Sequence, residues 1–189
     1  QVQGRASVGG NLCNASPAAD STPALIVLNA TCVIAGPSGP REITAKDFCT
    51  APGQTAMGKG ELLTSIRIPI PEKNSSSFYL RFIPRNEMDI AVVGVGASVV
   101  LDENHKSFVS AHIALGAVAP TPLYAEESSN LLAGQGISDE IINQAAEAAQ
   151  AIARPISDMR GTANQRKHLV GVLTRRALNG AVNRVKETE

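Results

Sequence analysis

Ser7, Gly9, Gly10, Asn11, Asn14, Ser16 and Asp20 crowd short donors and acceptors around a glycine pair within one stretch near the start of the chain. Positive φ at Gly9 and Gly10 would let backbone N–H groups close on an anion with no Cβ in the way, as a pyrophosphate requires. Asp20 adds a carboxylate that accepts hydrogen bonds from sugar-type hydroxyls. The chemistry this suggests is the holding of a phosphorylated, hydroxyl-bearing cofactor. A Gly-Gly pair alone is most often an ordinary turn.

Other chemistries find little support. His105, His112 and His168 fall in a turn, a strand and a helix, with no triad, zinc or nucleophile-elbow spacing around them. The three cysteines, Cys13, Cys32 and Cys49, form no C-x-x-C pair, and an odd count argues against a disulfide framework, so a reducing cytoplasm is expected. Lys plus Arg equal Asp plus Glu at 17 each, which leaves no field of one sign to draw nucleic acid or an anionic membrane. The late cations Arg166, Lys167, Arg175, Arg176, Arg184 and Lys186 read as the solvated face and C-terminal end of a helix. No apolar run reaches the ~20 residues of a membrane span.

The elements that must position the candidate site read in two blocks. Residues from about 23 to 69 read as short β elements, clearest at 31–35 and 63–68, with a hairpin through 36–40 and a loop at 51–55. The Pro- and Ser-rich stretch 69–77 suits a connector, so the expected organisation is 1–70, a linker at 71–77, and a second domain at 78–189. Beyond it, 78–83, 90–101 and 108–119 read as an antiparallel sheet whose middle strand is apolar or small on both faces and therefore doubly covered. From Pro122 the period becomes helical. One helix carries Ile142, Ala145, Ala149 and Ile152 on a face and is capped by Ser138 or Asp139; another opens at Thr162 with a Thr-x-x-Gln165 capping box. Helices gathered after a sheet make the fold class α+β.

Five blocks spread along the chain carry a resemblance: Ser7 to Asp20, Leu62 to Pro69, Met88 to Gly94, Ala114 to Pro122, and Arg154 to Gly161. In that order they resemble the medium, FAD-binding subunit of the molybdenum hydroxylases, the family of xanthine dehydrogenase and aerobic carbon monoxide dehydrogenase. The resemblance implies the remainder of a PCMH-type FAD-binding domain, followed by an antiparallel sheet packed with helices of the carbon monoxide dehydrogenase flavoprotein C-terminal type. It implies FAD as cofactor, with molybdopterin and iron–sulfur clusters on a large and a small partner subunit, and NAD or another acceptor taking the electrons.

By the same resemblance, Ser7, Gly9, Gly10, Asn11, Cys13 and Asn14 lie along the FAD pyrophosphate and neighbouring sugar, and Asp20 holds hydroxyls of the same cofactor. Leu63 and Arg81 lie near the isoalloxazine, Arg81 standing where Lys is frequent in the family. Asp158 and Arg160 are expected to form a structural ion pair or helix-entry contact. Members of the family carry a further Gly-rich segment upstream, so the chain is expected to be a C-terminal portion of a longer subunit, inactive when isolated. Two rivals stand beside this reading: a subunit-docking domain that binds no flavin, and a flavoprotein of the vanillyl-alcohol oxidase type, against which the 114–122 and 158–161 blocks speak.

Overall fold

Between Ser7 and Val27 the chain forms two short helices, α1 (Val8–Cys13) and α2 (Ser21–Val27), where a glycine turn and a strand were expected. The computed structural model describes residues 4–85 and 89–187, so Met88 of the third block lies outside the described residues. Ser7 has extended backbone and its Oγ accepts the Gly10 N–H at 3.0 Å, an N-cap that starts α1. Gly9 and Gly10 are consequently helical, and the left-handed residue of this stretch is Ala15 at φ 47°. In α2, Pro23 falls in the first turn, where a helix does not need its N–H. Pro23, Leu25, Ile26 and Val27 are all buried, and so short an apolar run has no period by which to tell helix from strand.

β1 (Thr31–Gly36) and β2 (Gly39–Thr44) form the expected hairpin, followed by a one-turn helix α3 (Ala45–Phe48). The expected loop at 51–55 is a small hairpin of β3 (Cys49–Ala51) and β4 (Gln54–Thr55). β5 (Leu62–Arg67) returns antiparallel to β1, giving the sheet order β2-β1-β5. Leu12, Leu25, Ile26, Cys32, Ile34 and Phe48 make the core beneath it. The cysteines are free, and burial pushes the Cys32 thiol up to about 11, which makes thiolate chemistry there unfavourable.

The second sheet comprises β6 (Ser75–Phe82), β7 (Val93–Leu101), β8 (Phe108–Gly116) and β9 (Leu123–Tyr124), antiparallel and in that order. β6 therefore takes in Ser75 to Ser77 of the expected linker, β7 starts three residues later than expected, and β8 stops at Gly116. Three helices complete the chain: α4 (Glu126–Leu132), α5 (Asp139–Ile152) and α6 (Ala163–Glu187). Ser138 Oγ accepts the Ile141 N–H at 3.3 Å and Thr162 Oγ1 the Gln165 N–H at 3.1 Å, so both expected caps start their helices.

β7 explains how the sheet is covered on both faces. Val93, Val95, Ala97, Val99 and Leu101 share a core with Val170, Leu173, Ala177 and Leu178 of α6. The alternate residues Gly94, Gly96 and Ser98 face the other way, as the two-residue strand period requires. A Cβ at Gly96 would lie 3.0 Å from the Pro23 carbonyl oxygen, so α2 rests directly on strand backbone.

Arg166 departs from the solvated role expected of it: it is 4% exposed and points into the protein. Its Nη2 donates to Asp158 Oδ1 at 2.7 Å and its Nη1 to the Val92 carbonyl at 2.8 Å. Asp158 thus pairs with Arg166 rather than with the Arg160 side chain, which reaches Asp89 at 3.6 Å; the Arg160 backbone N–H does bond Asp158 Oδ1.

His112 on β8 joins the two sheets' territories. The Asn29 amide donates to His112 Nε2 at 3.2 Å, and Nδ1–H then donates to the Tyr124 hydroxyl at 2.8 Å. Burial lowers the His112 pKa, opposed by the charge of Glu72, while Lys46 sits over the Tyr124 ring. The folded protein thus binds the His112 proton less readily than the unfolded chain, so stability holds above pH about 6.5 and falls as pH drops below it. Thermal unfolding between pH 7.5 and 5 should show that acid slope, and His112→Gln should flatten it; an unchanged slope in the variant removes His112 as its source.

Candidate functional site

The candidate residues divide into two clusters joined by Asn11. The first is a groove of about 460 Å³ with Ser7, Val8 and Gly9 of the α1 start on one side, Leu25 beneath, and Leu63 and Ile66 of β5 on the other. A side chain at Gly9 would grow toward Leu63, whose Cδ2 lies 3.9 Å from the Cβ position. Along β5 the lining mixes Leu63 and Ile66 with Thr64 and Ser65, and at α1 it is backbone-polar, where the first helical N–H groups have no intrahelical acceptor.

The second cluster centres on Asp20, the residue preceding α2. An aspartate there ordinarily accepts a bond from the third helical N–H, but that position is Pro23, which has none. The carboxylate makes no capping bond and turns to β6 instead. Tyr79 Oη–H donates to Asp20 Oδ1 at 2.8 Å, and Arg81 Nη1 donates to Oδ2 at 2.5 Å. Both donors stand on one face of β6 because they are two residues apart. Burial, reinforced by the negative charge of Asp20, holds the Tyr79 hydroxyl far above its ordinary pKa, so it remains a donor.

Asn11 ties the clusters together: its Oδ1 accepts from the Ser21 N–H at 3.2 Å and the Ser21 hydroxyl at 2.5 Å, next to Asp20. Gly10 is occupied in the cap of α1, and Asn14 closes that helix through its N–H to the Gly10 carbonyl. Cys13 packs against the buried core, where burial raises its thiol pKa. The structure thus brings Ser7 and Gly9 to Leu63, and Asp20 to Arg81, while Leu63 and Arg81 stand in different clusters. Tyr79 was missed by sequence reasoning. Its signal was its place two residues before Arg81 on a strand, which sets both side chains on one face.

Among the described residues, no His/Cys/Asp/Glu group is placed to hold a metal ion, and no helix is long and apolar enough to cross a membrane. Residues 1–71 match the family described as the FAD binding domain in molybdopterin dehydrogenase, and residues 78–181 match the CO dehydrogenase flavoprotein C-terminal domain. The chain is 37% identical to the carbon monoxide dehydrogenase medium chain of Afipia carboxidovorans, over 98% of this chain and 64% of that one. It is 27% identical to a putative xanthine dehydrogenase FAD-binding subunit of Escherichia coli, over 96% of this chain and 62% of that one. Carbon monoxide dehydrogenase from Hydrogenophaga pseudoflava superposes with a TM-score of 0.93 at 30% identity, covering 97% of this chain and 63% of that one. The chain thus spans less than two thirds of the length of these relatives.

Proposed function

From the premise that this chain belongs to the FAD-binding medium-subunit family of the molybdenum hydroxylases, we propose that it forms one wall of an FAD site in a cytoplasmic multi-subunit oxidoreductase. In that assembly it is the electron-transfer subunit. It sits between the iron–sulfur clusters of a small subunit and NAD or another acceptor, with the substrate handled by a molybdopterin-binding large subunit. FAD, when bound, supplies the redox chemistry.

The residues fit such a cofactor. The groove beside Gly9 offers backbone N–H groups at one end and the aliphatic side chains of Leu63 and Ile66 at the other, the pairing that a phosphate-linked planar ring needs. Tyr79 and Arg81 occupy one acceptor position on each Asp20 oxygen, which leaves further lone pairs for hydroxyl donors. Ser7, Gly9 and Gly10 would approach the pyrophosphate, with Asn11, Cys13 and Asn14 supporting that wall. Leu63 would pack on the ring, and Arg81 would place its cation where reduction adds negative charge.

The observation that carries this reading is the Asp20 carboxylate, freed from capping by Pro23 and left partly exposed. In the assembled complex, Asp20→Ala should weaken FAD binding about tenfold or more, as loss of hydrogen bonds to a charged group implies. Gly10→Val should act similarly, because a Cβ there would lie 2.9 Å from Ser7 Oγ. Flavin absorbance of the purified complexes measures both, and full retention in both variants would sink the assignment. A second reading, a docking domain that binds no flavin, is favoured by one feature: Asp20 and Arg81 already satisfy each other. Titration of the purified chain with FAD separates the two, since saturable binding with bleaching on reduction excludes a pure scaffold.

A further inference from the structure

We propose that Tyr79 is a positioning residue of the FAD site: its hydroxyl, seated over Gly94, fixes the Asp20 carboxylate so that its remaining lone pairs face the hydroxyls of the cofactor. The inference rests on the reading of Asp20 as an FAD ligand and extends it to a residue outside the five resemblance blocks. Asp20 belongs to the segment matched as an FAD-binding domain, whereas Tyr79 belongs to the segment matched as the C-terminal domain. The second domain therefore sets the geometry of a ligand carried by the first.

Two observations converge on this role. The carboxylate is held at both oxygens, Oδ1 by Tyr79 at 2.8 Å and Oδ2 by Arg81 at 2.5 Å, so rotation about its terminal bond is arrested. An arginine alone leaves a choice, because its planar fork can take both oxygens bidentately. Tyr79 removes that choice by claiming Oδ1, and it thereby leaves the rest of the Arg81 guanidinium for other acceptors.

The second observation is the seat itself. A Cβ at position 94 would lie 2.7 Å from the Tyr79 oxygen and 3.5 Å from its ring, so the phenol crosses β7 where the strand has no side chain. β6 and β7 pair with Arg81 opposite Gly94 and Tyr79 opposite Gly96, which places the leaning phenol beside the guanidinium. The half-buried ring, seated against Gly94 and bonded to Asp20 Oδ1, holds the hydroxyl in one orientation, so it acts as a fixed strut rather than a mobile surface donor.

The test is a double-mutant cycle in the assembled complex of the full-length subunit, stripped of flavin and titrated with FAD. Tyr79→Phe keeps the ring and its packing. It should raise the FAD Kd about five- to tenfold, as expected for one hydrogen bond to a charged group. In an Asp20→Ala background the same change should alter Kd less than about twofold, because a residue that acts through Asp20 has nothing left to position. Gly94→Ala, which leaves the phenol intact but fills its seat, should reproduce the loss. No change in Kd for Tyr79→Phe, or an equal loss in both backgrounds, overturns the proposal, the latter because a general packing role does not depend on Asp20. If Asp20→Ala itself leaves Kd unchanged, the underlying reading of Asp20 fails and the proposal falls with it, an outcome distinct from the other two.

Discussion

Replacing Arg166 with alanine should lower folding stability by about 3 kcal/mol, because it strands buried carbonyl groups and empties a buried site. The guanidinium reaches three separate stretches of chain. Nη2 bonds Asp158 in the loop before α6, and Nη1 bonds the Val92 carbonyl just before β7 at 2.8 Å and the Ala117 carbonyl just after β8 at 3.3 Å. Alanine would strand those carbonyls in a region with little water and leave a cavity the length of an arginine. Asp158 is 30% exposed and keeps its bond from the Arg160 N–H, so its own share of the loss is small. Arg166→Lys restores the charge but not the fork, and should recover only part of the loss. Denaturant unfolding of both variants measures this; a loss below about 1 kcal/mol for Arg166→Ala would show that the buried guanidinium is dispensable.

Gly96→Val should cost about 3 kcal/mol or more, at the upper end of what overpacking does. The first added carbon meets the Pro23 carbonyl oxygen at 3.0 Å, its carbonyl carbon at 3.2 Å and a Val27 methyl at 3.4 Å. Two of these are backbone atoms of α2, which cannot rotate aside as a flexible side chain can. The helix must lift from the sheet, and Asp20 at its start must move away from Tyr79 and Arg81. Stability and FAD binding should therefore fall together. Gly136→Ala is the control, since a Cβ there meets nothing within 4 Å and its effect should stay within about 0.5 kcal/mol. A Gly96→Val protein that melts with the parent would mean that α2 does not bear on β7 as closely as described.

How far these features could be read in advance depended on whether their cause was local. β1, β5 and the middle of β7 were legible because β-branched residues and bounding turns act within a few positions, and α5 and α6 because their caps do. α2 was not legible: its seven residues hold too few turns for a helical period, and a covered helix and a covered strand bury the same apolar run. The Gly9-Gly10 pair signalled a turn, yet the Ser7 cap drew both glycines into α1. The burial of Arg166 had no local sign, for its three acceptors come from other parts of the chain. Within the candidate site, Asp20 and Arg81 were legible as residue types, but the bond between them spans 61 positions and Tyr79 entered only with the sheet.

The alternation along β7 also sets an order of assembly. Gly94 seats the Tyr79 phenol and Gly96 seats α2, and both point to the same face only while the strand keeps its pairing with β6 and β8. A slip of one residue would exchange the two faces of the strand, putting valines beneath α2 and glycines into the α6 core. Asp20 can find its partners only after that pairing is settled, and closing so long a loop is slow beside forming a hairpin or a helix. A newly made chain thus completes the pairing of β6 with β7 before the Asp20 carboxylate is fixed against Tyr79 and Arg81.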